Sequence, residues 1–92
     1  MTRHKVVIAE QIAEAGIESL AKSCDVVVLV GEPRDRVIAE MATASALIVR
    51  SATSVDEEMI TAAPNLVVIG RAGIGVDNID IPAATKHGVM VV

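Results

Sequence analysis

Five short aliphatic runs punctuate the chain, at residues 6–9, 26–30, 46–49, 66–69 and 89–92. None of them alternates polar with apolar positions. Strands that are apolar on both faces belong in a parallel sheet covered by helices on both sides. The segments between them carry a helical period. Ile12, Ala13, Ile17, Leu20 and Ala21 fall on one face of the first, and Val37, Ile38, Met41 and Ala42 on one face of the second, after Pro33 at a helix start. In the third, Val55, Met59, Ile60 and Ala63 share a face. Ser54 is the expected N-cap, Asp56, Glu57 and Glu58 load the first turn, and Pro64 ends the helix. The fourth has Asp80 as its cap, Pro82 in its first turn and Lys86-His87-Gly88 as its C-terminal signature. The pattern predicts (βα)4β: a flavodoxin-like, doubly wound α/β fold with five parallel strands in the order 2-1-3-4-5. Its connections are short enough for right-handed crossovers.

Composition narrows the function more than the fold. With 92 residues the chain is a single domain at most, and 52% hydrophobic against 22% charged residues specifies a packed core. It has no Phe, Tyr or Trp, so Val, Ile, Leu, Ala and Met must build that core. The stacking platforms of single-stranded nucleic-acid binders are therefore absent. The net charge is −4 and the eight basic residues are scattered, which leaves no footprint for nucleic acid or an anionic membrane. The lone Cys24 cannot form an internal disulfide and is expected to be reduced and partly buried. No run approaches the length of a signal-peptide core or a bilayer span, so a cytoplasmic protein is expected. The sequence stops at Val92, inside the fifth apolar run. It is accordingly expected to be a fragment of a longer chain.

In an open α/β sheet, ligands bind beyond the carboxyl ends of the strands. Arg50-Ser51-Ala52-Thr53-Ser54 follows the third run, and Gly70-Arg71-Ala72-Gly73-Ile74-Gly75-Val76-Asp77-Asn78 follows the fourth. Two arginines thus emerge from strands that should lie about 5 Å apart. Guanidinium groups at such tips would repel unless an anion lay between them, and Arg offers the planar fork that grips carboxylate or phosphate. The hydroxyls of Ser51 and Thr53 and the amides of the Gly-rich turn add neutral donors. The competing reading is that each arginine forms a surface ion pair with Glu10, Glu32 or Asp77.

The Gly-rich run begins like a dinucleotide fingerprint, but Asn78 stands where the third glycine belongs. It also follows the fourth strand and does not open directly onto a helix. No cofactor is expected on this chain. No Walker loop or nucleophile elbow occurs. His4, expected in an N-terminal tail, and His87, at a helix end, are not at metal-ligand spacing, so no metal is expected. Glu57 and Glu58 read as helix-start charges.

The strings Leu47-Ile48-Val49-Arg50-Ser51-Ala52-Thr53, Ala62-Ala63-Pro64-Asn65-Leu66, Gly70 to Asp80 and Ala83 to Val92 are similar to those of the D-isomer-specific 2-hydroxyacid dehydrogenases. Within that family they resemble most the branch acting on 3-phosphoglycerate. The resemblance spans essentially the whole chain. It implies a two-domain subunit, of which these residues form the N-terminal part of the substrate-binding domain. NAD would be bound by an inserted Rossmann domain that these residues do not contain. The implied reaction oxidises 3-phosphoglycerate to 3-phosphohydroxypyruvate, on the way to L-serine. By motif, Arg50 and Arg71 would hold the phosphate end, and the amides around Gly73, Ile74 and Gly75 the carboxylate, with Ser51 alongside. The family's catalytic Arg, Glu and His belong to the inserted domain, so no catalytic residue is expected here and the chain alone should be inactive.

The expected partners are a small anionic substrate, the rest of the same enzyme and further copies of itself. Other readings stay open. One is a non-catalytic remnant or interaction module, self-associating through a poorly covered sheet face, or the substrate domain of another 2-hydroxyacid dehydrogenase. Another is a receiver-type signalling module, which would need an Asp where Arg50 stands.

Overall fold

The computed structural model describes residues 3–72 and 77–92. Along the chain run β1 (His4–Ile8), α1 (Glu14–Ala21), β2 (Cys24–Val28), α2 (Arg34–Met41), β3 (Ala46–Val49), α3 (Glu57–Thr61), β4 (Val68–Arg71), α4 (Ile81–Lys86) and β5 (Met90–Val91). The strands form one parallel sheet in the order β2-β1-β3-β4-β5. Fold class and strand order are those the hydrophobic pattern predicts.

The register divides the sheet residues between two faces. Val7 pairs with Val27 and Leu47, Leu47 with Ile69, and Ile69 with Val91. Those residues share one face with Ala9, Leu29 and Val49, where α2, α3 and α4 close over them through Val37, Met41, Met59, Ile60, Ala83 and Ala84. This is the main core, and side-chain burial there drives the fold. The opposite face carries Val6 and Ile8, which are buried, and Val28, Met90 and Val92, which are 49%, 64% and 67% exposed. Among the described residues, α1 is the helix left for that face, since α2, α3 and α4 pack on the other and α1 contacts β2. Ile12 and Ala13 precede the helix; Ile12, Ile17 and Leu20 are half-buried, Ala13 and Ala21 are exposed, and no residue of α1 is fully buried. A poorly covered sheet face is thus a property of these residues.

Several boundaries differ from the sequence expectation, each for a physical reason. β1 and β2 each start two residues early, because His4 and Lys5 pair with Cys24 and Asp25. His4 is therefore in a strand and not in a tail, with Nδ1 3.2 Å from Ser45 Oγ. Lys5 is tethered by its own chemistry: Nζ donates to Glu40 Oε1 at 2.7 Å, to the Glu40 carbonyl at 2.9 Å and to Thr43 Oγ1 at 2.8 Å, at the end of α2. β4 lies two residues later than its aliphatic run. Leu66 is buried in the turn after α3, and the ladder instead takes in Gly70 and Arg71, opposite Ile48 and Val49. The α3 cap is Asp56, not Ser54. The Asp56 carboxylate accepts the Met59 N–H at 3.1 Å, while Val55, buried and bridged to Ile79, keeps the chain extended up to that point.

α4 ends as its sequence signature requires. Gly88 has φ +73°, its N–H donates to Thr85 O at 3.1 Å, and the Val89 N–H donates to Ala84 O at 2.8 Å. That is the Schellman arrangement, in which one left-handed residue satisfies carbonyls of the last turn. A Cβ at Gly88 would meet no atom within 4 Å, so the cost of adding one is purely conformational. Gly88→Ala is expected to lower stability by about 1 kcal/mol in denaturant titration. An unchanged midpoint would show that the turn tolerates an alternative cap.

Candidate anion-binding site

β3 ends at Val49, whose carbonyl accepts the Ala72 N–H at 2.9 Å in the last ladder bond at this tip. The next residue, Arg50, is exposed and has left the sheet, so its peptide groups need partners other than a strand. Two side chains supply them. Glu10, at the tip of β1, accepts the Arg50 N–H at 2.5 Å, the Ala52 N–H at 3.0 Å and the Thr53 N–H at 3.1 Å. Asn78 donates from Nδ2 to Arg50 O at 2.6 Å and to Thr53 O at 2.8 Å. The main chain repeats the tie: the Val55 N–H donates to Asn78 O at 2.8 Å and the Asp80 N–H to Val55 O at 2.9 Å.

Glu10 therefore fills the amide nest of the 50–53 loop with the protein's own carboxylate. Partial burial would push that carboxyl up. The N–H groups of Arg50, Ala52 and Thr53 and the Thr53 hydroxyl outweigh burial, and the group ends below its ordinary value. Thr53, expected to offer donors to a ligand, gives them to Glu10 instead. Glu10 and Asn78 are the site residues that sequence reasoning undervalued. Glu10 was visible only as a possible ion-pair partner, and Asn78 only as a missing glycine. The available signal was position: Glu10 follows the first aliphatic run directly, and Asn78 lies in the segment that follows the fourth.

Of the expected ligand contacts, Arg50 and Ser51 are exposed on the loop after β3. The Arg50 guanidinium reaches toward the Gln11 carbonyl, Nη1 to O 3.4 Å, and forms no ion pair among the described residues. Glu10 binds the Arg50 backbone, and Glu32 lies 3.5 Å from Arg36. Arg71 stands within β4 opposite Val49. Its N–H donates to Val92 O at 3.0 Å, its side chain is half-buried and its Nε is shielded from solvent. The two arginines thus occupy adjoining strand tips one register position apart. Gly73, Ile74 and Gly75 lie outside the described residues.

A cleft of about 320 Å³ adjoins the other side of the 50–53 loop, lined by Ala9, Glu32, Arg34, Val37, Ala52, Thr53, Ser54 and Met59. Neither Arg50 nor Arg71 faces it. Its cation, Arg34, is consumed by Asp56 Oδ1 at 2.6 Å, Ser54 O at 2.9 Å and Glu58 Oε1 at 3.4 Å. Charges already paired with one another make a poor anion receptor, so the strand tip that carries Arg50, which forms no ion pair among the described residues, remains the candidate.

The first helix after the Gly-rich run is α4, whose opening turn is closed by Asp80, its carboxylate accepting the Ala83 N–H at 3.0 Å. A pyrophosphate in that position would meet a like charge, so a dinucleotide does not fit there. Glu10 sets the same obstacle at the tip of β1. Among the described residues no group of three or more His, Cys, Asp or Glu could hold a metal ion, and no helix is long and apolar enough to cross a membrane. Cys24 is a half-buried free thiol.

Comparison with known proteins adds a family to this geometry. Residues 6–92 match the model of the D-isomer specific 2-hydroxyacid dehydrogenase catalytic domain. The chain is 51% identical over 89 residues to the D-3-phosphoglycerate dehydrogenase of Archaeoglobus fulgidus, covering 96% of this chain and 17% of that protein. Among solved structures, it superposes on the PH0520 protein of Pyrococcus horikoshii with a TM-score of 0.90 at 29% identity, covering 98% of this chain and 27% of the other. On the NAD+-bound 3-phosphoglycerate dehydrogenase of Entamoeba histolytica the TM-score is 0.79 at 28% identity, over 98% and 32% of the two chains. The chain spans about a sixth of the length of the curated relatives it matches.

Proposed function

The chain belongs to the D-isomer specific 2-hydroxyacid dehydrogenase family, and from that premise we propose that it is the N-terminal part of the substrate-binding domain of an NAD-dependent enzyme oxidising 3-phosphoglycerate to 3-phosphohydroxypyruvate. The observation that carries the substrate assignment is the pair of arginines on adjoining strand tips, with Val49 opposite Arg71 and Arg50 the next residue on. A phosphorylated hydroxy acid bears negative charge at both ends. Arg50 and Arg71 take the phosphate through charge-assisted, forked hydrogen bonds. The amides of Gly73, Ile74 and Gly75 take the carboxylate, and Ser51 adds a hydroxyl. With the Arg50, Ala52 and Thr53 amides given to Glu10, a phosphate at the β3 tip is addressed by the Arg50 side chain rather than by those amides.

When bound, NAD would supply the hydride acceptor in such an enzyme. Among the described residues, the carboxylates of Asp80 and Glu10 stand where a dinucleotide's phosphates would lie, and we assign the dinucleotide to another part of the longer enzyme. The task of these residues is to bind the substrate, orient its hydroxyl carbon and fix the position of its charges. That contribution is entropic and electrostatic and involves no covalent step.

The test is an assay of the full-length enzyme with NAD and a set of D-2-hydroxy acids, followed by NADH absorbance. 3-Phosphoglycerate should be oxidised with a kcat/KM at least about 100-fold above that for glycerate, the expected worth of a charge-assisted phosphate contact. Equal turnover of the unphosphorylated acid would assign the chain to another member of the family. No turnover of any hydroxy acid would favour the interaction-module reading, for which the exposed Val28, Met90 and Val92 are the supporting observation.

A further inference from the structure

Arg50 is held chiefly by its backbone, its side chain making one long contact from Nη1 to the Gln11 carbonyl at 3.4 Å. It is the first residue beyond β3, past the last ladder bond of that tip, and would be free to swing if nothing caught its peptide groups. Both are caught. Its N–H lies on Glu10 and its C=O on Asn78. The first contact comes from the β1 side and the second from the chain returning after β4, so the residue is braced from two neighbouring segments.

The chemistry at Asn78 is specific. One amide nitrogen must donate two hydrogens to two converging carbonyls, those of Arg50 and Thr53. Among side chains close to this size only a carboxamide can do that. An aspartate would offer acceptors to acceptors, and a serine at most one donor. The neighbouring main-chain bonds, Val55 N–H to Asn78 O and Asp80 N–H to Val55 O, fix where the carboxamide starts from.

Resting on the proposed role of Arg50 in substrate binding, we propose that Asn78 is a positioning residue: by gripping the Arg50 carbonyl from the β4 side, opposite Glu10, it fixes the guanidinium where it shares one anion with Arg71. Asn78 need not touch the substrate. Its effect passes through the peptide plane of Arg50, and an error of about 1 Å in such a group is enough to impair binding or catalysis severely.

The experiment uses the full-length enzyme and three variants, Asn78→Asp, Asn78→Ser and Arg50→Ala, with KM for 3-phosphoglycerate, KM for NAD, kcat and melting temperature measured for each. Asn78→Asp should raise KM for 3-phosphoglycerate about tenfold or more, with KM for NAD within about twofold of wild type. Asn78→Ser, which adds no charge, should shift it in the same direction by less, and it carries the test if the aspartate variant does not fold. KM for 3-phosphoglycerate unchanged in both variants, or a parallel rise in both Michaelis constants, would overturn the inference. So would a fall in melting temperature with normal kinetics well below it. Arg50→Ala separates the two levels. If it raises KM for 3-phosphoglycerate and the Asn78 variants do not, the positioning role alone is wrong. If it changes nothing, the substrate assignment is wrong and this inference falls with it.

Discussion

Replacing Arg71 by alanine in the full-length enzyme is expected to weaken its interaction with 3-phosphoglycerate by about 2–4 kcal/mol, a roughly 30- to 700-fold loss in affinity, with no change in NAD binding. Arg50→Ala is expected to fall in the same range, nearer its lower end. The difference comes from their surroundings. Arg71 is half-buried within β4, with Nε shielded from solvent, whereas Arg50 is exposed beyond β3. A charge–charge contact is worth more where water is excluded. Because both guanidinium groups address one phosphate, the double variant should lose less than the sum of the two single losses. Arg71→Lys should recover part of the loss, since the ammonium keeps the charge without the planar fork. Isothermal titration of the variants with 3-phosphoglycerate and with NAD provides the check. Equal losses for both ligands would mean that the substitutions disturb the domain as a whole. Strictly additive losses would mean that the two arginines hold different groups.

The hydrophobic pattern revealed the fold almost completely, because a parallel sheet buried on both faces leaves continuous aliphatic runs that nothing else produces at this spacing. It failed only where burial is not the deciding force. β4 was read two residues early because Leu66 looks like strand and Arg71 does not. The ladder opposite Ile48 and Val49 decides otherwise, and an arginine is accommodated at its end. The α3 cap was misread because serine and aspartate cap equally well, and only the bridge from Val55 to Ile79 holds the chain extended until Asp56. At the candidate site the strand-tip arginines were legible, since topology alone brings the ends of β3 and β4 together. The braces were not. Glu10 lies 40 residues from Arg50 and Asn78 lies 28 residues away, and each serves through hydrogen bonds to backbone, which leave no periodicity in a sequence.

Glu10→Gln is the second substitution expected to have a large effect, and its signature is acid dependence. The carboxylate accepts three backbone N–H bonds from Arg50, Ala52 and Thr53 at 2.5–3.1 Å. An amide can accept with its oxygen only, and its NH2 would be turned against N–H donors, so the loop loses charge-assisted bonds and gains a repulsive contact. The expected cost is about 1.5–3 kcal/mol in the unfolding of the domain that holds these residues. The sign of the pH effect follows from linkage. Burial raises the Glu10 carboxyl and the loop's donors lower it by more, leaving the folded value below that of the unfolded chain. A group depressed by folding stabilises the fold above its unfolded pKa, about 4.3 for glutamate, and that contribution is lost as pH falls through the lower folded value. Wild type and Glu10→Gln should therefore differ by the full amount at neutral pH and converge in the acid range below about pH 4. Denaturant titrations of both proteins at neutral and acid pH make the comparison. A stability gap that persists unchanged into acid would show that Glu10 acts through packing and not through its charge, and the amide nest of the 50–53 loop would then be open to a ligand's own anion.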